Sequence, residues 1–158
     1  MAEQTPQQDH SKRYLKPGAF TRHGFNGLVG FLVKRGVNVW GSRILSVRGR
    51  KSGEMRSTPV NLLVFEGESY LLSPRGHSQW VRNLRVVGEG ELRVGKRVQR
   101  FTAVELDDAV KPPLLRAYLK RWAFEVGAFF DGVSHKSSAD ELLAVAPKHP
   151  AFKITFVE

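Results

Sequence analysis

The chain has 158 residues, 41% hydrophobic and 25% charged, which is typical of one globular domain with a substantial core. It contains no cysteine, which excludes disulfides, thiolate nucleophiles and cysteine-ligated zinc or iron–sulfur centres. The net charge of +10 favours anionic partners such as nucleic acid, an anionic membrane surface or a phosphorylated ligand.

The N-terminal part is polar at first and then amphipathic. Residues 1–13 are rich in Gln and charge, which predicts a disordered tail, and residues 14–158 are predicted to form a single domain. No secretory core precedes the domain and no apolar run approaches the roughly 20 residues of a membrane span, so we expect a cytoplasmic protein. Helical spacing of the apolar residues predicts a helix over residues 20–34, and contact of this helix with a membrane surface is an open alternative.

The middle of the chain alternates as strands. Residues 43–47, 57–65 and 69–73 are predicted strands, and Pro59 places a bulge or a sheet edge near the start of the second. Residues 79–85 then predict a short helix with Trp80, Leu84 and Val87 on one face. Residues 91–94 and 97–104 predict a hairpin around Gly95.

The last third is predicted to be mainly helical. Pro112 and Pro113 stand where a helix would begin, and its apolar stripe continues to about Phe130. Ser138 and Glu141 form the sequence pattern of a capping box before a short helix, and residues 151–157 alternate as a final strand. Together these elements predict an α+β fold: a small β-barrel of mostly antiparallel strands with flanking helices.

The motifs of several function classes are missing. The five histidines have no metal-ligand spacing, and the sequence contains no HExxH, GxSxG, Walker loop or Rossmann glycine pattern. We therefore predict no metal site and name no catalytic side chain. We also expect no nucleic-acid partner, because no known nucleic-acid module is present.

Basic residues concentrate at one turn. Residues 43–100 hold 12 Lys/Arg against 5 Asp/Glu. Within them, residues 49–56 (GRKSGEMR), here called the basic turn, combine two glycines with Arg50, Lys51 and Arg56. Guanidinium and ammonium groups beside exposed backbone N–H groups suit phosphate or carboxylate. A solvated, charged hairpin turn is the alternative interpretation, and this segment alone does not decide between the two.

A second segment, residues 73–84 (SPRGHSQWVRNL), leaves a strand and enters a helix; we call it the Trp/Asn segment. A helix N-terminus attracts anions. Trp80 by itself is better explained as a core residue, but Asn83 lies three residues later on roughly the same face, a pairing that could hold a polar ring.

Together, GRKSGEMRSTP and RG followed by WVRNL resemble the deazaflavin-dependent nitroreductase family, whose members use coenzyme F420. The resemblance is good over about residues 40–105, and it implies a split β-barrel that binds F420. It departs from the family pattern before the tryptophan, where the loop is shorter and Pro74 and Arg75 replace Ser and Lys. The implied cofactor contacts are Arg50, Lys51, Ser52, Gly53, Arg56 and Ser57 for the phosphate and tail, and Pro59, Asn61, Ser73, Arg75, Gly76, Trp80 and Asn83 for the ring.

The resemblance implies hydride transfer from reduced F420 to an electron-poor small molecule such as a quinone, a nitroaromatic or an activated alkene. Tyr118 is the one side chain assigned to this acceptor, and Trp122 beside it is expected in the core. The alternative is a split barrel that binds flavin mononucleotide, haem, lipid or nucleic acid without catalysis. Monomer and homodimer both remain open.

Overall fold

The computed structural model describes residues 42–158, apart from the side chains of Phe124 and Glu125. The predicted N-terminal tail and the helix over residues 20–34 lie outside the described residues. The described chain contains six β-strands: β1 Ser42–Arg48, β2 Met55–Phe65, β3 Glu68–Leu72, β4 Glu89–Val94, β5 Arg97–Glu105 and β6 Ala151–Phe156. Its three α-helices are α1 Gln79–Val87, α2 Pro112–Val126 and α3 Ala139–Val145.

The strands close into an antiparallel barrel in the order β1-β2-β3-β6-β5-β4. Pairing between the first and fourth strands, with Ile44 opposite Arg93, closes the barrel. The predicted class, a small barrel with flanking helices, is therefore confirmed. Pro59 pairs in regular register with Ile44, so the predicted bulge at Pro59 is wrong. Within residues 42–158, the part of β2 that contains Pro59 pairs with β1 alone, as expected of a sheet edge.

The barrel interior is filled by alternate strand residues, because successive side chains of a strand point to opposite faces. Helix α1 covers one end and contributes Val81 and Leu84 to this core. The strand members of the barrel core are Leu45, Val47, Leu62, Leu71, Leu92, Phe101, Phe152 and Ile154.

The buried face of α1 differs from the prediction. Val81 and Leu84 are 0% and 1% exposed, whereas Trp80 is only partly buried against the barrel core. The buried face of α1 is therefore rotated by about one residue from the predicted face of Trp80, Leu84 and Val87. A short helix carries several apolar residues, and the barrel end selects which of them are buried.

Helices α2 and α3 cover the outside of the barrel and enclose a second core. Trp122 and Leu115 are 0% exposed, and Leu63 of β2 joins them. The α-helix starts at the predicted proline but ends at Val126, followed by a 3-10 turn over Gly127–Phe129. Both halves of the predicted capping box form: Glu141 N donates to Ser138 Oγ, and Ser138 N donates to Glu141 Oε1. None of the helices in residues 42–158 is long and apolar enough to cross a membrane.

Candidate functional site

The basic turn is a tight loop between β1 and β2. Gly49 N donates to Glu54 O at 2.7 Å, and Gly53 N donates to Gly49 O at 2.9 Å. Gly53 has a φ of +73°, a conformation that favours glycine. A Cβ on Gly49 would lie 2.7 Å from Ser52 Oγ and 3.3 Å from Glu54 O, so a side chain there would require the Ser52 hydroxyl to move. Ser52 Oγ accepts from Glu54 N at 3.2 Å, which closes the turn further.

The basic turn is docked on α1 through one side chain. Asn83 Oδ1 accepts from Arg50 N at 3.1 Å and from Arg50 Nη1 at 2.8 Å. Arg50 Nη1 also donates to Gln79 Oε1 at 3.0 Å. Asn83 itself is 4% exposed. The two segments that the sequence singled out, 33 residues apart at these contacts, therefore form one continuous surface.

The cations of the basic turn face different surroundings. Lys51 is exposed, and Arg56 forms an ion pair with Glu54 at 3.4 Å in which the side chains are 62% and 72% exposed. Such exposed pairs are weak, so Arg56 can exchange Glu54 for another anion. Arg48 was not predicted as a site residue; its Nη1 donates to Gly53 O at 2.6 Å and braces the turn. The sequence feature that could have identified Arg48 is its position directly before Gly49, where the basic turn begins.

A strip of polar and small side chains runs from the basic turn along the outer face of β1 and β2. Ser46 and Ser57 share a hydrogen bond of 2.7 Å between their hydroxyls. Pro59 follows opposite Ile44, and Asn61 Oδ1 accepts from Ser42 Oγ at 3.3 Å. The candidates Ser57, Pro59 and Asn61 therefore share one face of β2, as every second residue of a strand does.

The Trp/Asn segment begins with a compact loop after β3. Ser73 Oγ donates to Gly76 O at 2.5 Å, and Gly76 has a φ of +93°. The Arg75 guanidinium lies over the ring of Phe129, 4.5 Å from its centroid. Trp80 is partly buried and tilts against Phe152 with ring centroids 6.0 Å apart. Ser73 itself is 1% exposed, so its hydroxyl serves the loop rather than the surface.

Tyr118 does not occupy the position expected of an acceptor contact. Its side chain is 1% exposed and lies in the helical core, with ring centroids 4.7 Å from Trp122 and 6.2 Å from Phe130. This burial argues against the assignment of Tyr118 to the acceptor. The expectation that Trp122 is a core residue is confirmed, since it is 0% exposed.

A buried histidine supports the loop of the Trp/Asn segment. His77 Nε2 lies 3.1 Å from Pro147 O, and Nδ1 lies 3.4 Å from Arg85 Nη2. Burial, and next the positive charge of Arg85, lower the pKa of His77 to about 4. Three further groups act on it: Glu105, which raises the pKa, and Lys111 and Arg82, which lower it.

We expect this imidazole to make the fold sensitive to acid. Between pH 6.5 and about 4 the unfolded chain binds a proton at residue 77 that the folded chain does not, so the free energy of unfolding falls as the pH is lowered through this window. Urea denaturation of the wild type and His77→Gln at pH 7.0, 5.5 and 4.5 measures the effect. The variant should lose part of the pH dependence, whereas the control His135→Gln should keep it; equal slopes in all three proteins would contradict this account.

The sequence family decides the class of ligand. A model of the F420H2-dependent quinone reductase family matches residues 22–127, well over half of the chain. The chain belongs to this family. It is accordingly an oxidoreductase whose cofactor is coenzyme F420, which confirms the cofactor and the enzyme class that the family resemblance implied. In the described part of the chain, no group of three or more His, Asp or Glu residues is arranged to hold a metal ion.

Two solved structures share the fold of this F420H2-dependent quinone reductase family member, with TM-scores of 0.50 or more. A protein of unknown function from Agrobacterium tumefaciens is 13% identical with a TM-score of 0.53, covering 80% of this chain and 54% of that one. A domain-swapped dimer is 16% identical with a TM-score of 0.50, covering 82% and 96%. An F420-H2 dependent reductase, FDR-A, is 16% identical with a TM-score of 0.49, covering 73% and 94%. No curated protein sequence matches the chain.

Proposed function

We propose that this reductase passes hydride to a quinone-type acceptor and holds F420 between the basic turn and the Trp/Asn segment. The observation that carries the proposal is the pair of bonds from Arg50 to Asn83 Oδ1, which joins the two segments into one surface. When bound, reduced F420 supplies the hydride, so the protein needs no nucleophile of its own.

The basic turn supplies the groups that suit the anionic part of the cofactor. Lys51, Ser52 and Arg56 are exposed there, and phosphate and carboxylate oxygens accept charge-assisted hydrogen bonds from such groups. Arg50 has a different part in the proposal. Its Nη1 is bonded to Gln79 and Asn83, so it fixes the turn on α1 and leaves the remaining guanidinium nitrogens for the ligand.

The strip along β2 and the half-buried Trp80 suit a flat ring. Pro59 offers an apolar surface beside Asn61, whose side-chain oxygen already accepts from Ser42 and whose NH2 group can still donate. The loop of the Trp/Asn segment is held by the bond from Ser73 to Gly76, so that Gly76 and Arg75 are positioned before a ligand arrives. We propose that these residues orient the ring and exclude water from one of its faces.

Exchange of one lysine tests the proposal. Lys51→Gln should weaken F420 binding about 10-fold or more, because a hydrogen bond to a charged group contributes roughly 1.5–3 kcal/mol. The control is Lys96→Gln, which removes another exposed lysine, from the turn between β4 and β5. Fluorescence titration with F420 gives the affinity, and oxidation of F420H2 by a panel of quinones gives the activity.

The outcomes separate the candidate functions. Equal F420 affinity in both lysine variants would remove the basic turn from the cofactor site. Tight F420 binding without oxidation by any quinone, nitroaromatic or activated alkene would favour the non-catalytic alternative. Oxidation by a quinone, with the loss of affinity confined to Lys51→Gln, is the expected result.

A further inference from the structure

The backbone around Arg75 is fixed on both sides. Ser73 N donates to Pro150 O at 2.8 Å, and Ser73 Oγ donates to Gly76 O at 2.5 Å. Gly76 N donates back to Ser73 O at 3.4 Å. Pro74, between them, has a φ that its own ring restricts. What remains to be placed is the long side chain of Arg75, which has many rotamers and loses entropy when it is confined to one of them.

The helical layer contacts this side chain through Phe129. The guanidinium carbon of Arg75 lies over the Phe129 ring, 4.5 Å from its centroid. Both side chains are half-buried. The face of an aromatic ring attracts a cation, and the attraction is stronger where water is partly excluded. The planar guanidinium group is well suited to such a face.

The ring under Arg75 is itself held in place. It belongs to the 3-10 turn Gly127–Phe129 at the end of α2 and packs against the helical core. The next residue, Phe130, is 0% exposed and stacks on His149 with ring centroids 4.0 Å apart. His149 Nδ1 lies 3.2 Å from Ser73 O. The end of α2 is therefore linked to the loop of the Trp/Asn segment twice, directly at the arginine and through His149 at the backbone.

We infer that Phe129 is a positioning residue, which holds the Arg75 guanidinium at the ring site before F420 binds. The inference rests on the proposed function, in which Arg75 lies beside the ring of the cofactor. A phenyl ring has no formal charge, so the contact restricts the arginine without cancelling its positive charge. Restriction in advance improves affinity, because the entropy of the side chain is not lost again when the ligand binds. The helical layer thus contributes to cofactor binding without touching the cofactor.

Exchange of the ring tests the inference. Phe129→Leu should raise the Kd for F420 about fivefold, equivalent to about 1 kcal/mol, whereas Phe129→Tyr keeps a ring and should stay within twofold of the wild type. The matched control is Phe65→Leu. Phe65 is also half-buried against the helical core, but it pairs with Glu68 at the end of β3 far from the loop. This control should leave the Kd, measured by fluorescence titration, unchanged.

The same exchange in an Arg75→Gln background separates positioning from direct contact. If Phe129 acts through Arg75, then Phe129→Leu should cause no further loss of F420 affinity there, because the side chain that it positions is gone. A loss of equal size in both backgrounds would show that Phe129 acts on the cofactor or on the fold directly. That result, or an unchanged Kd for Phe129→Leu in the otherwise wild-type protein, would overturn the inference and leave the reductase activity standing.

NMR of the protein without cofactor gives a second readout. An aromatic ring shifts the resonances of protons above its face upfield, and the side-chain protons of Arg75 are identified by their absence in Arg75→Gln. An upfield shift that persists in Phe129→Tyr and is lost in Phe129→Leu supports the inference. It does so even if Arg75→Gln binds F420 normally, a result that would count against the proposed place of the ring alone. Equal Arg75 shifts in the wild type and Phe129→Leu would overturn the inference.

Discussion

Replacing Gly90 by alanine is expected to destabilise the barrel by about 3 kcal/mol, near the upper end for inserting a methyl group into a packed interior. A Cβ at this position would lie 2.8 Å from Phe101 Cζ and 2.9 Å from Ser46 O. Neither neighbour can move aside easily. Phe101 is 1% exposed in the barrel core, and Ser46 O belongs to the backbone of β1, which pairs with β4 and closes the barrel.

The matched control is Gly127→Ala at the end of α2. The nearest atom to a Cβ on Gly127 is Ala123 Cβ at 3.9 Å, and its φ of −53° is one that any residue adopts. That change should leave stability within about 1 kcal/mol, with a small gain because alanine restricts the unfolded chain. Urea denaturation measures both variants. Similar midpoints for Gly90→Ala and the wild type would mean that the close contact of β4 with β1 is looser than described.

Local signals in the sequence predicted most of the barrel. Alternation identified the strands, the paired prolines placed the start of α2, and the capping box placed the start of α3. These succeed because each depends on residues within a few positions of one another. The face of α1 was wrong for the same reason: its register on the barrel end depends on Leu45, Leu92 and other residues distant in sequence.

The sequence identified the residues of the candidate site better than it predicted how those residues are arranged. Glycine and basic residues identified the turn, and the motif with Trp80 and Asn83 identified its companion. The contact between them joins residues 50 and 83, which no local pattern specifies. Tyr118 also shows what a local pattern leaves open. A tyrosine beside an apolar stripe can contact a ligand or lie in the core, and only tertiary packing determines which of the two occurs.

The second large effect is expected at Asn83. Leucine has a similar size but cannot accept the two hydrogen bonds from Arg50, so the backbone N–H of Arg50 loses its partner and its guanidinium keeps only Gln79. We expect Asn83→Leu to lower F420 affinity by about 10- to 100-fold and stability by about 1–3 kcal/mol. Gln79→Leu removes one exposed bond to the same arginine and should have a clearly smaller effect on both quantities.

A double-mutant cycle separates positioning from general destabilisation. Arg50→Gln also weakens docking of the basic turn, so its effect on F420 affinity should not add to that of Asn83→Leu; a coupling of about 1–3 kcal/mol is expected for residues that share a bond. Val86→Ala, at a position 68% exposed on the same helix, is the control and should leave affinity unchanged. The affinities are measured by fluorescence titration at a temperature well below the unfolding midpoint of every variant. Loss of folded protein is then excluded as the cause of weaker binding. If the two losses simply add, Arg50 and Asn83 act on the cofactor independently. If they do not, the bond between them is what makes one cofactor site out of two segments.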